Sequence, residues 1–385
     1  MINYFSLISR KGFLLTFSTF LLFVTLSCVS KQKNKEIFKK ITDLNIKRPS
    51  GHEDFFFSQV VKLDSIEYLA IKLTQQNKID FINLYNQTVD TVVNIPIKKS
   101  FKSFNVISFD SIYFMPNYTG SVYLFSNEKI DTIVKGGMDP DYLKHFDMNE
   151  TGPKIDVFNT VASPMFYVDN NFYFNNMIDP TMEISSQKPM LIYKISGNDF
   201  SIKSNNISFP DNMLKKEHTL APFDMYFCYT LNNRKELVYS FCLDHFIYSK
   251  SYIDSSEKHL AKSDYFDEFP KFIKNKEAYN FKLLDKREEE NYRYGGIFYD
   301  DYRDIYYRVV LHPKTKNEGQ LNDKFDFKFS IIVLNKDYKK IGEQLFNFKD
   351  YLGNQIHIVK EGIMLKKHDD LSGFSRFTIF KPQID

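Results

Sequence analysis

Short runs of β-branched and aromatic residues recur along the chain beyond Ser50, separated by Asn, Asp, Gly, Lys or Pro. Runs of this length and composition, bounded by turn residues, predict β-strands rather than helices. The first group of runs predicts four strands in about 40 residues, at positions 60–63, 66–73, 79–85 and 88–95.

The same pattern returns at irregular intervals, which indicates a repeated unit. A four-stranded antiparallel sheet alone leaves its edges and two apolar faces unburied, whereas radial stacking of such sheets buries both faces. We therefore predict an all-β fold, a β-propeller of six four-stranded blades over residues 51–385. A seventh blade and a pair of β-sandwiches are the alternatives left open. The equivalent positions, separated by 46, 59, 69, 62 and 60 residues, are Asp64, Asp110, Asp169, Val238, Asp300 and Lys360.

Residues 254–294 interrupt this rhythm with many charges and few alternating apolar positions. We expect an inserted loop on one face of the propeller, with one or two short helices. Such loops often carry function because a rigid scaffold holds them.

The N-terminus has the pattern of an export signal. Arg10 and Lys11 precede an apolar run over residues 13–26, and Ser27 and Cys28 follow it. The run is shorter than the roughly 20 residues that a permanent membrane helix needs. Its end resembles the bacterial lipobox, in which the cysteine is lipidated and becomes the mature N-terminus. We predict a lipoprotein signal over residues 1–27 and lipid attachment at Cys28, with an uncleaved anchor or an ordinary signal peptide as alternatives.

Residues 28–50 are rich in lysine and predict a basic tether between the lipid and the propeller. The tether is either a solvated linker or a segment that rests on anionic headgroups. Lipoproteins exported to the cell surface tend to have an acidic stretch after the cysteine, and Val29 resembles the residue at that position in lipoproteins sent to the outer membrane. We therefore predict an outer-membrane lipoprotein that faces the periplasm rather than the cell surface.

The balance of basic and acidic residues in the chain limits which partners it can bind. The chain has 51 basic and 48 acidic residues, and removal of residues 1–27 leaves 49 basic residues against 48 acidic ones. Phosphate contacts need a clustered excess of cations, so nucleic acid is not expected as a partner. The sequence has no motif with metal-site spacing and no phosphate-binding loop, and we assign it no metal, no cofactor and no catalytic residue.

Two cysteines other than Cys28 flank a predicted hairpin, with strands over residues 225–231 and 237–243. Pairing about its turn sets Cys228 opposite a position near Tyr239, three residues short of Cys242. Because a disulfide requires Cα atoms within about 7 Å, we favour two buried thiols over a disulfide.

The segment 294–313 is the most distinctive part of the chain, with strands predicted over 297–299 and 305–311 and a polar turn between them. Its charged residues allow two interpretations. In the first interpretation, these residues form a site for a carboxylate or a sugar, since guanidinium groups make paired planar hydrogen bonds. Alternatively, the carboxylates cap turn amides and Arg308 pairs with one of them between blades. The residues concerned are Asp300, Asp301, Arg303, Asp304 and Arg308.

This hairpin, together with the segments at 109–112 and 237–241, resembles the family of domain of unknown function 4221, lipoproteins of Bacteroidetes. The resemblance spans nearly the whole chain. It implies a propeller-like all-β fold and no established activity, and it supplies no catalytic residue.

These observations predict a lipid-anchored protein of the cell envelope, more a non-catalytic binding propeller than an enzyme. The expected partners are the membrane, through the anchor, and an envelope protein, a peptide or a glycan. The alternative is a carbohydrate-active enzyme that uses acidic residues at the propeller funnel.

Overall fold

Antiparallel strands account for nearly all of the regular structure in the computed structural model of the protein. The structure describes residues 36–47, 55–73, 76–98, 100–116, 122–134, 163–175, 192–196, 202–204, 207–211, 213, 218–219, 227–251, 256–269, 273–274, 281–314, 327–368 and 373–384. The strands belong to one compact unit that runs from Ile37 to Asp385.

The described residues form six four-stranded antiparallel sheets, which we call blades 1 to 6. Blades 1 to 3 are built from consecutive strands. They are β2 (Phe55–Leu63), β3 (Ile66–Leu73), β4 (Lys78–Asn83) and β5 (Thr88–Asn94); β6 (Phe101–Ser108), β7 (Ser111–Pro116), β8 (Val122–Ser126) and β9 (Lys129–Val134); and β10 (Phe166–Val168), β11 (Asn171–Asn175), β12 (Ile192–Ser196) and β13 (Ile202–Ser204).

Blades 4 and 5 follow the same order and are separated by the single described helix. Outside the blades, β14 (His218–Thr219) pairs with β19 (Ile273–Lys274). Blade 4 contains β15 (Phe227–Leu231), β16 (Leu237–Phe241), β17 (Phe246–Lys250) and β18 (Glu257–Leu260). The helix is α1 (Phe281–Glu290). Blade 5 contains β20 (Arg293–Asp300), β21 (Ile305–Leu311), β22 (Lys328–Leu334) and β23 (Lys340–Asn347).

Blade 6 closes the ring with both ends of the chain. It contains β24 (Tyr351–Val359), β25 (Gly362–Lys367), β26 (Phe374–Pro382) and, as its outer strand, β1 (Phe38–Lys47). The pairing of β1 with β26 begins at Phe38 opposite Pro382 and is antiparallel.

The tether predicted over residues 28–50 is therefore wrong for residues 38–47, which belong to the propeller. The pattern of apolar and polar residues did not reveal this strand, because an outer strand buries few of its side chains. Phe38, Leu44 and Ile46 are buried, whereas the residues from Lys39 to Thr42 are exposed.

Six apolar clusters lie between successive blades, and this arrangement shows how the core is divided. Each cluster takes its residues mainly from two neighbouring blades, and the sixth joins blade 6 to blade 1. Every blade thus packs on two neighbours in cyclic order. This arrangement is the one predicted, because a four-stranded sheet alone would leave both of its apolar faces unburied. The β-propeller fold is confirmed, and the two-sandwich alternative does not fit. The only further sheet in the described residues is the two-stranded pair of β14 and β19.

The predicted insertion over residues 254–294 is correct in part. The segment contains α1, as expected, but it also contains β18, the outer strand of blade 4, and the start of β20. The strand β18 could not be recognised from the sequence, because its side chains are mostly exposed and several are charged.

The two faces of the propeller differ in the length of their connections. The first and third strands of the blades are followed mostly by short turns, such as Asp64 with Ser65, Asn127 with Glu128, and Asp169 with Asn170. All six of these residues have positive φ, which suits the tight hairpin turns that favour Asn and Asp. Because strands alternate in direction, these turns share one face, which we call the turn face. The second and fourth strands of the blades end at the opposite face.

Candidate functional site

Asp300 is the last residue of β20, at the start of the β20–β21 turn, and it is fully buried. Its Oδ1 accepts hydrogen bonds from the backbone N–H groups of Tyr302, at 3.1 Å, and Arg303, at 3.2 Å. Its Oδ2 accepts from Arg303 Nη1 and from Tyr307 Oη, both at 2.8 Å. Burial raises the pKa of Asp300, and the bonds from Tyr307 and Arg303 oppose that rise. The carboxylate thus caps turn amides, as one of the two interpretations predicted.

The rest of the turn connects blade 5 to blades 6 and 1. The guanidinium of Arg303 donates to the backbone carbonyl of Lys360, in the β24–β25 turn. Glu67 Oε1, in β3 of blade 1, accepts from Tyr302 Oη at 2.6 Å and from the N–H of Lys360 at 2.9 Å. Tyr302, Arg303 and Asp300 therefore join three blades at the turn face.

The two remaining acids of the turn have different surroundings. Asp304 Oδ1 accepts a hydrogen bond of 2.9 Å from Tyr299 Oη, and its backbone has a φ of 52°. Asp301 is exposed to solvent. Asp304 is thus bonded within its own hairpin, and Asp301 is the more accessible of the two.

Arg308 does not pair with a carboxylate of the hairpin, so that part of the prediction is wrong. The side chain is fully buried between blades 5 and 4, and its Nε donates to Ser240 Oγ at 3.0 Å. Its Nη1 and Nη2 atoms donate to five backbone carbonyls of blade 4 and its connections. The acceptors and distances are His245 (3.0 Å), Ala261 (2.9 Å), Phe241 (3.4 Å), Asp244 (2.5 Å) and Phe246 (3.2 Å).

The charge of Arg308 is offset by these carbonyl dipoles and by an aromatic ring. Its Cζ lies 3.3 Å from the centroid of the Tyr294 ring, within the range of a cation–π contact. Burial lowers the pKa of Arg308 to about 10, so the guanidinium stays charged at pH 7. Arg308 therefore clamps two blades together and is not accessible to a ligand.

Cys28 lies outside the described residues, so its lipid attachment remains a prediction. The other two cysteines are buried, and no disulfide joins them. Cys228 is opposite Ser240 in the register, one residue from the predicted position near Tyr239.

A pocket of about 350 Å³ opens on the turn face between blades 4 and 5. The pocket could not be predicted from the sequence, because its walls come from turns and strands that are far apart in the chain. The residues that line it are Arg234, Glu236, Ser249, Ser251, Glu257, His259, Lys336, Asp337 and Tyr338.

One wall of the pocket is a fixed polar network. Glu236 Oε2 accepts from Arg234 Nε at 2.9 Å, from Tyr338 Oη at 3.0 Å and from Asn232 Nδ2 at 2.7 Å. Arg234 Nη2 also donates to Tyr338 Oη at 3.0 Å. Burial raises the pKa of Glu236, but the hydrogen bonds from Asn232, Tyr338 and Arg234 outweigh it and hold the pKa below its ordinary value. Glu236 is therefore ionised at neutral pH.

A stacked aromatic pair forms another part of the lining. The rings of His259 and Tyr338 are 4.1 Å apart at their centroids, with an interplanar angle of 28°. His259 Nε2 lies 2.9 Å from Ser249 Oγ, and burial lowers the pKa of this histidine, so its ring is neutral at pH 7. Tyr338 has a φ of 63°, a conformation that is strained for a bulky residue and often found at functional sites.

In the described part of the chain, no helix is long and apolar enough to cross a membrane. Within the same residues, no group of three or more His, Cys, Asp or Glu side chains is arranged to hold a metal ion.

The fold and the hairpin define the class of this protein as a β-propeller whose blades are joined through a turn centred on one buried aspartate, Asp300. Residues 59–345 match the family described as a domain of unknown function, DUF4221, and the chain belongs to that family. The resemblance noted in the hairpin is thereby confirmed.

Solved structures show the same fold. A DUF4221 family member from Bacteroides vulgatus is 19% identical, with a TM-score of 0.75 over 90% of this chain and 98% of that chain. A Bacteroides fragilis protein, named as a candidate exported protein, is 11% identical, with a TM-score of 0.55 over 92% of this chain and 98% of that chain. No curated protein matches the sequence.

Proposed function

We propose that this protein is a lipid-anchored component of the bacterial cell envelope that binds a partner without catalysing a reaction. The export signal and Cys28 support the anchor, and the similarity to a candidate exported protein of Bacteroides fragilis agrees with export. The observation that most directly supports the binding role is the polar pocket between blades 4 and 5. Its lining is held by hydrogen bonds within a rigid scaffold, as is usual for preformed binding sites.

Metabolic labelling with radioactive palmitate tests the anchor. Wild-type protein is expected to be labelled and to fractionate with membranes, and Cys28→Ala is expected to lose both properties. Cys228→Ala is the matched control and should remain labelled, because that thiol is buried within blade 4. An unlabelled wild type, or a labelled Cys28→Ala variant, would refute lipidation at this residue.

The proposed location is the outer membrane, with the propeller in the periplasm. The basic character of residues 29–40 and Val29 after the cysteine support this orientation over the cell surface. Protease added to intact cells should leave the protein whole, and disruption of the outer membrane should expose it to digestion. Digestion in intact cells would instead show a surface protein.

The binding role extends to an envelope protein, a peptide or a glycan as partner. Photo-crosslinking in living cells tests it, with the photoreactive group at Asp337, on the pocket rim, and at Glu361, in the β24–β25 turn, as the control position. A partner that crosslinks from position 337 and not from 361 supports binding at the pocket. Equal crosslinking from both positions, or none from either, would contradict it.

A carbohydrate-active enzyme is the second candidate, because Glu236 and Glu257 line the same pocket. Glycosidases need one carboxylic acid whose pKa is raised so that it can donate a proton. The pKa of Glu236 is lowered instead, and Asp300, whose pKa is raised, is fully buried. Hydrolysis of envelope glycans by wild type but not by Glu236→Gln would favour this candidate over a binding protein.

A further inference from the structure

The pocket between blades 4 and 5 contains charged groups of both signs that the other described residues leave largely unpaired. Among the described residues, the side chains of Lys336 and Asp337 form no hydrogen bond or ion pair, and both residues are exposed. The carboxylate of Glu257 is 77% exposed, and its contact within the described residues is His259 Nε2, at 3.9 Å. One ammonium and two carboxylates are therefore available to a ligand at one opening.

The remaining charges are fixed and do not compete for a ligand. Arg234 and Glu236 bond to one another and to Tyr338, so that the guanidinium and the carboxylate largely satisfy each other. With His259 neutral, the charged lining among the described residues comprises Arg234, Lys336, Glu236, Glu257 and Asp337, a net charge of −1 from two cations and three anions. This balance disfavours a simple anion and favours a ligand that has a cationic group.

The size of the pocket limits the ligand. Its volume of about 350 Å³ lies at the small end of the range for small-molecule sites, roughly 300–1,000 Å³. A free amino acid or a dipeptide is of the size that such a pocket accommodates. The stacked rings of Tyr338 and His259 form the aromatic part of its wall.

We infer that this pocket binds a small zwitterion, an amino acid or a dipeptide with free termini. The ammonium group of the ligand lies toward Glu257 and Asp337, and its carboxylate lies toward Lys336. This inference deepens the proposed binding role and rests on it, but it is independent of the lipid anchor.

Isothermal titration of the full chain in detergent with glycylglycine tests the inference. Glycylglycine is expected to bind, whereas N-acetyl-glycylglycine amide, which lacks both charges, should bind at least about tenfold more weakly, since charge-assisted hydrogen bonds are the stronger ones. Glucose is the uncharged polar comparison and should bind no better than the capped peptide. Equal binding of the free and capped peptides, or no binding of glycylglycine up to about 10 mM, would overturn the inference.

Two variants assign the charges to residues. Glu257→Gln and Lys336→Gln should each weaken glycylglycine binding by about five- to tenfold, because each removes one charged partner at an exposed position. Glu361→Gln, an exposed turn residue of blade 6, is the matched control and should bind as wild type. Equal weakening by Glu361→Gln would overturn the assignment. A protein that crosslinks a partner at position 337 yet ignores glycylglycine would reject the zwitterion and keep the proposed binding role.

Discussion

Arg308 Nε donates a hydrogen bond of 3.0 Å to Ser240 Oγ, across the boundary between blades 5 and 4. The two residues lie on the second strands of neighbouring blades, in β21 and β16. The other donors of the guanidinium are directed at backbone carbonyls of blade 4, so the ion is solvated by the protein in place of water. The planar group thus fixes how one blade sits against the next.

Replacement of Arg308 by lysine should destabilise the protein strongly, although the charge is kept. An ammonium group has three donors in place of five and cannot reach the same carbonyls, and each buried carbonyl left unpaired costs about 1–3 kcal/mol. We expect the free energy of unfolding in urea to fall by at least about 3 kcal/mol. Arg234→Lys, whose side chain is 45% exposed, is the control and should cost less than about 1 kcal/mol. Similar losses for the two variants would show that Arg308 is no clamp.

The second prediction concerns His357, which is buried between blades 6 and 1 with its Nε2 3.2 Å from Ser58 Oγ. Burial, and secondarily the charge of Lys366, lowers the pKa of His357 to about 4. In the unfolded chain the pKa of a histidine is about 6.5. The folded state therefore binds the proton less well than the unfolded state does. The contribution of His357 to the free energy of unfolding is complete above pH 6.5 and is lost as the pH falls toward 4.

Between pH 7 and pH 5, His357 should account for a loss of about 2 kcal/mol in the free energy of unfolding. Urea titrations of wild type and His357→Gln at both pH values measure this share. The variant should be less stable at pH 7 but lose less on acidification. Since burial also lowers the pKa of His312 to about 4, some acid sensitivity should persist in the single variant. An unchanged difference between pH 7 and pH 5 would contradict the assignment to His357.

Most of the fold could be predicted from the sequence because its signals are local. Asp64 with Ser65 and Asp169 with Asn170 form tight turns between apolar runs, and such turns can be recognised within a few residues. The strand β1 could not be recognised in this way. Its partner β26 is more than 300 residues away, and most of its own side chains face solvent.

The same distinction explains the outcome for the site residues. The capping role of Asp300 follows from neighbours in its own turn and could be predicted. The partners of Arg308 lie 47 to 68 residues away, and no pattern near Arg308 identifies them. In the pocket, Arg234 and Tyr338 are 104 residues apart and meet only because blades 4 and 5 are adjacent.

Gly362 provides a third prediction, because its backbone lies close to the neighbouring strand of blade 6. Its φ is +155°, and a Cβ added there would lie 2.0 Å from the carbonyl oxygen of Phe380. Gly362→Ala would force β25 and β26 apart, and we expect a loss of about 3 kcal/mol or more, as for other severe overpacking.

Gly373→Ala separates this close contact from the effect of conformation alone. Gly373 also has positive φ, +80°, but a Cβ there would meet nothing within 4 Å. Its replacement should cost only about 1–2 kcal/mol of backbone strain in thermal or urea unfolding. Equal losses for the two variants would mean that the contact with Phe380 is relieved at no cost.

The last prediction concerns the closure of the ring by β1. Phe38 is fully buried, with its ring centroid 5.8 Å from those of both Tyr307 and Phe346 in blade 5, and its N–H donates to Gln344 Oε1 at 2.8 Å. Phe38→Ala would leave a cavity between blades 5 and 6 and should cost about 3–5 kcal/mol. Hydrogen exchange should show faster exchange of the amides that pair β1 with β26. The control is Ile41→Ala in the same strand, where the side chain is 44% exposed and the loss should be about 0.5 kcal/mol. If Phe38→Ala were as stable as Ile41→Ala, the packing of β1 on blade 5 would not be what closes the propeller.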